Sequence, residues 1–596
     1  MGSRGGMTTS FSFLATCLLA ASAPALAQAA ATLPEKGKPP LTERTEASGL
    51  PLAPEQKAVD FTTADLAIEV FPDRHAIAGT ATLGFTAKTP LRAIAFDLDR
   101  NLPISAIALD GKPLPASAWR NPDGMVRVAL PRRIAKGQSF TLTVSYAGTP
   151  HVAVNAPWDG GFVWDKTKDG KPWIATAVQG EGCDLFWPCF DNPMVEVGTV
   201  DLHITVPQDL VAPSNGVFVG LTPQPGGRHT WHWRAKHPNG YAIALNIAPY
   251  KVIEADYKSR FGNVIPMRYW YLPGEEEQAK ALFAQFAPTL DFFEEMIGPY
   301  PFGDEKLGVV ETPHLGMEHQ TINAYGNGYK LAPEGYDWLF QHEFSHEWFG
   351  NQLTNSNWDD MWLHEGYGTY MQPLYLQWRG GEMPYMQTLW KQRIALMNRF
   401  PVVSGKPMTE EQVYNKDIGP GNDIYYKGSL VLHTLRWLIG DTAFFDATRR
   451  IVYGRPDPRP GNFTPRFAST KDYEAILRDV TGKDYSWFFD SYFRQPKLPR
   501  LVETPQGDRL TLRWESAAKS TFAMPVEVDV AGSLVTLPMS DGTGSVTVPP
   551  GVHPRIDPMS KLLRQNDEID AYQTWKAAED EKAKAAAKEK EKASAK

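Results

Sequence analysis

His342, Glu343, Phe344, Ser345 and His346 stand together inside a stretch, residues 336–349, whose apolar spacing is helical. On a helix, positions i and i+4 lie one turn apart on the same face, so both imidazoles can reach one ion. Glu343 then sits beside any water on that ion without being a ligand. Eighteen residues separate His346 from Glu365. That length lets the helix end at Gly350-Asn351, turn, and re-enter as a second antiparallel helix near Trp358, so that Glu365 faces the histidines. Two neutral imidazoles and one carboxylate leave a fourth tetrahedral position open, the arrangement of a reactive metal site. Zinc, one per chain, is the metal this ligand set favours, although ligand identity alone leaves cobalt and manganese open.

The rest of the chain must frame that site. With 596 residues it is too long for one hydrophobic core. The pattern reads as a multidomain α+β protein. Residues 57–254 form an antiparallel β domain of short alternating runs, such as Asp201 to Val206. Residues 255–497 are α-rich, with helical spacing over 275–297, 334–349 and 358–378 and onward from Ser429 and Tyr473. Residues 498–563 return to strands and suffice for a small C-terminal β-sandwich. A formal charge of −8 gives no polyanion-binding signal, which argues against nucleic acid as a partner.

The two ends read differently. Residues 1–27 have the form of a secretory signal: Arg4, an apolar run over 11–23, and the small-x-small site Ala25-Leu26-Ala27. A lipoprotein signal ending at Cys17 is the rival reading. The expectation is an exported bacterial protein, periplasmic or secreted, with no membrane-spanning segment once the signal is cleaved. Residues 28–56 read as a linker, and 564–596 as a solvated, charged, partly helical tail. Cleavage leaves Cys183 and Cys189; two buried free thiols are the plainer expectation, a small disulfide-closed loop the alternative.

The words around the histidines resemble those of the gluzincin aminopeptidases, the aminopeptidase N and leukotriene hydrolase family. They are His342 to Asn351, then Trp362-Leu363-x-Glu365-Gly366. Leu315-Gly316-Met317-Glu318-His319 looks like that family's Gly-x-Met-Glu-Asn segment, and Tyr425-Tyr426-Lys427-Gly428 like its Tyr-x-Lys-Gly segment. Gln179-Gly180-Glu181-Gly182 and Phe186 to Pro193 are similar to its Gln-x-Glu-Ala and Phe-Pro-Cys stretches. The resemblance implies a thermolysin-like middle domain. It also implies hydrolysis of the N-terminal peptide bond of short peptides with a free N-terminus. His342, His346 and Glu365 are the implied ligands, Glu343 the general base, and Tyr425, rather than its neighbour Tyr426, the oxyanion donor. Glu318 and Glu181 are the implied ammonium binders, with Gln179, Gly316 and Met317 lining the substrate on an exposed strand edge.

The departures are Leu315, His319, His364 and Gly368, and His314, His319 and His364 read as pocket or supporting residues. The large helical C-terminal domain of many relatives has no counterpart in the pattern, which leads to the expectation of a more open groove. Two other functions fit the same resemblance: lipid epoxide hydrolysis, and peptide binding without catalysis.

Overall fold

The computed structural model describes residues 41–594 apart from residue 462. The stretch expected to be a signal sequence and the first part of the expected linker therefore lie outside the described residues. Residues 41–56, expected as linker, are docked. Two short helices, Glu43–Glu46 and Pro54–Lys57, bring Arg44 and Gln56 onto the buried Asp97 at 2.8 and 2.7 Å. Polar side chains with a buried carboxylate to satisfy hold this segment, a reason that Pro- and Lys-rich composition does not reveal.

The β domain is built on an eight-stranded sheet. From Ala64 to Phe71 the alternation is regular, with Leu66, Ile68 and Val70 inward and Asp65, Ala67 and Glu69 outward. The sheet departs from the expected antiparallel pattern in one place. Val59–Phe71 pairs parallel with Thr199–Pro207 and antiparallel with Ala76–Ala87. A three-stranded sheet of Leu91–Asp97, Met125–Ile134 and Trp119–Arg120 contributes Ile94, Phe96 and Val126 to the same core.

Cys183 and Cys189 form a disulfide, so the expectation of two free thiols is corrected. The Cys183–Leu185 turn folds the chain back and brings the two Cα atoms to 6.2 Å, within reach of a bridge.

The middle region opens with a five-stranded sheet ordered Lys251–Lys258, Val264–Tyr271, Leu307–Glu311, Asn323–Tyr325 and Gly316–Met317. It starts at Lys251, ahead of the boundary expected at 255. Helices pack against the sheet. Phe293 of helix Phe286–Met296 stacks on Trp348 at 4.5 Å, and Phe286 on Phe340 at 4.5 Å, fixing the segment that carries His342 and His346.

At the C-terminal side, two three-stranded sheets enclose Leu512, Trp514, Met524 and Val528 and continue the core of the middle region. The tail is more ordered than expected at its start. Helix Asp567–Ser594 buries Ile569, and Gln573 donates to the carbonyls of Ile394 and Leu396 at 3.0 and 2.8 Å. No helix of the described residues is long and apolar enough to cross a membrane.

Candidate metal centre

The histidine helix, Trp338–Ser345, is capped by Asp337, whose side chain accepts from the Phe340 amide. Its α-helical bonding ends at Ser345, earlier than the expected stop at Gly350. A wide π-type turn, Glu347–Gln352, follows and leads to the short strand Leu353–Asn355. The chain then enters the glutamate helix, Trp362–Gly380, which carries Glu365 in its first turn.

These elements bring His342, His346 and Glu365 to one point. The His342 and His346 Nε2 atoms are 3.3 Å apart, and Glu365 Oε2 lies 3.5 and 3.4 Å from them. A tetrahedron with bonds of about 2.1 Å has edges of about 3.4 Å, so the three donors outline one face of a zinc site. His346 Nδ1–H donates to the Phe349 carbonyl at 2.9 Å, which turns the Nε2 lone pair toward the triangle. Glu365 Oε1 accepts from the Tyr414 and Tyr425 hydroxyls at 2.8 and 3.1 Å, while its buried Oε2 has no hydrogen-bond partner among the described residues.

The electrostatics ask for positive charge at the same place. Burial opposes a charged His346, but Glu365, Glu318 and Glu343 outweigh it and carry its pKa to about 10. Glu365 is held well below the usual carboxylate range; its burial is overcome chiefly by His346. An orphaned carboxylate oxygen, a lone pair aimed at it and a demand for a cation together fit a divalent metal.

Glu343 is buried beside the triangle. Burial raises its pKa well above the ordinary value; His346 opposes the rise, and Glu318 and Glu365 add to it. Gly316 makes room for it, since a Cβ there would lie 2.6 Å from Glu343 Oε1. The Gly316–Met317 strand is the edge of its sheet as expected, but it is buried rather than exposed.

Tyr425 comes from the tyrosine helix, Asp423–Ile439, which crosses the glutamate helix where Gly428 meets Gly366. A Cβ on Gly428 would be 2.8 Å from the Gly366 Cα. Lys427 is buried, and its ammonium donates to the carbonyls of Gln495 and Pro496 at 3.0 and 2.9 Å, anchoring the helix. Tyr426 packs against the hydrophobic core.

Glu318 is buried, and its Oε1 accepts from Gln179 at 2.8 Å and Tyr241 at 2.9 Å, both from the β domain. Gln179, expected to line the substrate, thus orients Glu318. His364 Nε2 is 3.4 Å from the same oxygen; burial pushes its pKa down to about 3, leaving it neutral. His314 and His319 are also buried and neutral, lowered by burial to about 4 and about 3.

Glu181 accepts from the Gly160 amide, and its pKa is raised to about 7, first by burial and then by Asp159. Glu410, whose carboxyl lies 3.7 Å from where a Gly180 Cβ would be, is raised to about 8 by burial, Glu181 and others including Glu365. Sequence reasoning missed Tyr414, Tyr241 and Glu410, which lie outside the motifs. A separate cavity of about 560 Å³, bounded by Met386, Trp390, Arg393, Leu430 and Ile569, contains none of these residues.

Residues 60–239 match the peptidase M1 N-terminal domain, and residues 288–492 match the peptidase family M1 domain. Among curated proteins, alanine/arginine aminopeptidase of Saccharomyces cerevisiae is 24% identical over 434 residues, covering 68% of this chain and 48% of that protein. Aminopeptidase B of Mus musculus is 28% identical over 353 residues, covering 56% and 48%. The chain therefore spans about half the length of the curated relatives it matches. Among solved structures, an M1 zinc metallopeptidase from Deinococcus radiodurans superposes with a TM-score of 0.62 and 25% identity, covering 76% of this chain and 98% of that one. A mutant M1 zinc metallopeptidase from the same organism, bound to a Tyr-Ser-Ala substrate, aligns with the same TM-score, identity and coverage.

Proposed function

The chain belongs to peptidase family M1, whose two domain types it carries in order, and from that premise we propose that it is a zinc metallo-aminopeptidase. It removes N-terminal residues from short peptides. The observation that carries this reading is the triangle of His342, His346 and Glu365 donors, with edges of 3.3, 3.4 and 3.5 Å and Glu343 buried beside it.

Zinc, when bound by these three residues, supplies a Lewis acid that polarises the scissile carbonyl and acidifies water near neutral pH. Glu343 accepts the proton of the attacking water and delivers it to the leaving amine. Tyr425 donates its hydroxyl proton in a hydrogen bond to the oxygen on which charge develops. Glu318, held by Gln179 and Tyr241, and Glu181 bind the substrate ammonium, which confines cleavage to the first peptide bond.

The carboxylates Glu181, Glu318 and Glu410 suit an ammonium better than the apolar body of a lipid, which favours peptide over epoxide hydrolysis. A complete ligand set with Glu343 and Tyr425 in reach favours an enzyme over a binding protein. Export to the periplasm or beyond is part of the proposal. It is supported by the signal-like residues 1–27 and by the Cys183–Cys189 disulfide, a bond that persists in oxidising compartments.

The Glu343→Gln variant tests the assignment of the base. It is expected to keep one zinc per chain by elemental analysis and to lose peptide hydrolysis by about 10³-fold or more. Unchanged turnover would remove Glu343 from that role.

A further inference from the structure

The solvent-facing side of the eight-stranded sheet carries a second group of metal-type ligands. Strand Thr199–Pro207 runs between Val59–Phe71 and Arg228–Lys236, and its register sets Asp201 opposite Asp65 and His203 opposite His232. Alternation turns Val200, Leu202 and Ile204 into the core and leaves Asp201 and His203 outside. Four side chains from three strands thus share one face in two adjacent rows.

Three of them lie close enough to converge on one ion. One donor atom each from Asp201, His203 and His232 falls within 4.8 Å of the others. His203 Nε2 lies 3.6 Å from Asp65 Oδ1, too long for a hydrogen bond but close to the edge of a tetrahedral zinc site. The His203 and His232 rings stack at 4.0 Å with 23° between their planes, so both imidazoles approach the carboxylates together. His232 Nε2 is hydrogen-bonded to Asp201 Oδ1 at 2.6 Å, a contact that an ion between them would replace.

We propose that Asp201, His203 and His232, flanked by Asp65, form a second binding site for a divalent transition metal of the borderline class that takes imidazole and carboxylate ligands. The ion cross-links the two antiparallel strands that carry these three residues. Arg234 is its built-in competitor, because its guanidinium contacts Asp201 Oδ1 at 2.9 Å. With that competitor and with Asp65 largely exposed, the site is weaker than the buried triangle of the middle region.

Zinc is the probe. The full chain is stripped with chelator, equilibrated against buffered free zinc, and its metal-to-protein ratio measured. Wild type is expected to reach two zinc per chain, and His203→Ala with His232→Ala to stop at one while hydrolysing peptides at the wild-type rate. Retained hydrolysis shows that the double variant is folded. Arg234→Ala is expected to take up its second equivalent at lower free zinc than wild type. The same uptake curve for wild type and the double variant would overturn the proposal, whatever the first site does.

Discussion

Two tyrosine hydroxyls converge on Glu365 Oε1, and their roles separate by position. Tyr425 lies on the histidine side, its ring 6.1 Å from that of His342, whereas Tyr414 comes from the short helix Glu410–Tyr414. Burial and then Glu365 hold the Tyr425 hydroxyl well above its usual pKa, so it stays a donor through the neutral range. Tyr425→Phe is therefore expected to lower kcat by about 10²–10³-fold with zinc content unchanged. Tyr414→Phe, which loosens the orientation of a ligand, is expected to weaken zinc binding by about 10-fold with a smaller effect on kcat. Steady-state kinetics and zinc titration of the two variants distinguish the roles, and an exchange of these effects would reassign them.

At the same scale, Glu181 gives a pH dependence. Its folded pKa of about 7 lies above the ordinary 4.5, so the native state holds a proton that the unfolded chain releases. This group's contribution to stability is full below pH 4.5 and is lost as pH rises toward 7. Ammonium binding runs the other way, because it needs the ionised carboxylate. KM for an unblocked substrate is expected to fall as pH rises through about 7. Asp159→Asn removes a neighbouring negative charge and is expected to move that inflection to lower pH, as KM measured across pH 5.5–8.5 will show. An inflection that stays in place would dissociate Glu181 from the amine.

Much of the site was legible in the sequence because helical periodicity and short motifs are local. The i, i+4 histidines and the reach to Glu365 follow from helix geometry, and Tyr425 from the resemblance of Tyr425-Tyr426-Lys427-Gly428 to a family segment. Tyr241 and the Gln179–Glu318 bond come from contacts between domains, which periodicity does not encode. Tyr414 lies outside every motif read from the sequence. The disulfide stood in the sequence only as the lesser alternative, since the backbone turn that makes it possible is a tertiary fact.

Between elements, the crossing of the glutamate and tyrosine helices decides whether Tyr425 reaches Glu365. Gly366 and Gly428 let the two backbones approach closely, with no side chain between them. Gly428→Ala would place a Cβ 2.8 Å from the Gly366 Cα, against backbone that cannot rotate away. The variant is expected to lose about 1–3 kcal/mol of stability, read as a lower thermal or urea midpoint, together with activity. A midpoint and rate equal to wild type would show that the crossing has slack. The docked segment 41–56 makes a related point. Its composition is that of a linker, yet Arg44 and Gln56 satisfy Asp97 from two one-turn helices too short for any periodic signal.

The whole molecule divides the work. The β domain sends Gln179 and Tyr241 to Glu318, and the helical region holds His342, His346, Glu365, Glu343 and Tyr425. The C-terminal sheets share the helical region's core, and the segment that follows them accepts from Thr434 of the tyrosine helix at the Lys561 carbonyl. On the proposed function, such an assembly admits a free N-terminus and excludes an internal peptide bond, because the end of the substrate meets carboxylates rather than open space. The most direct measurement is hydrolysis of one aminoacyl reporter, N-terminally free or acetylated, before and after zinc chelation. The account predicts cleavage of the free form that is abolished by chelation and restored by zinc, with no cleavage of the acetylated form. Comparable cleavage of both forms, or cleavage that survives zinc removal, would contradict it.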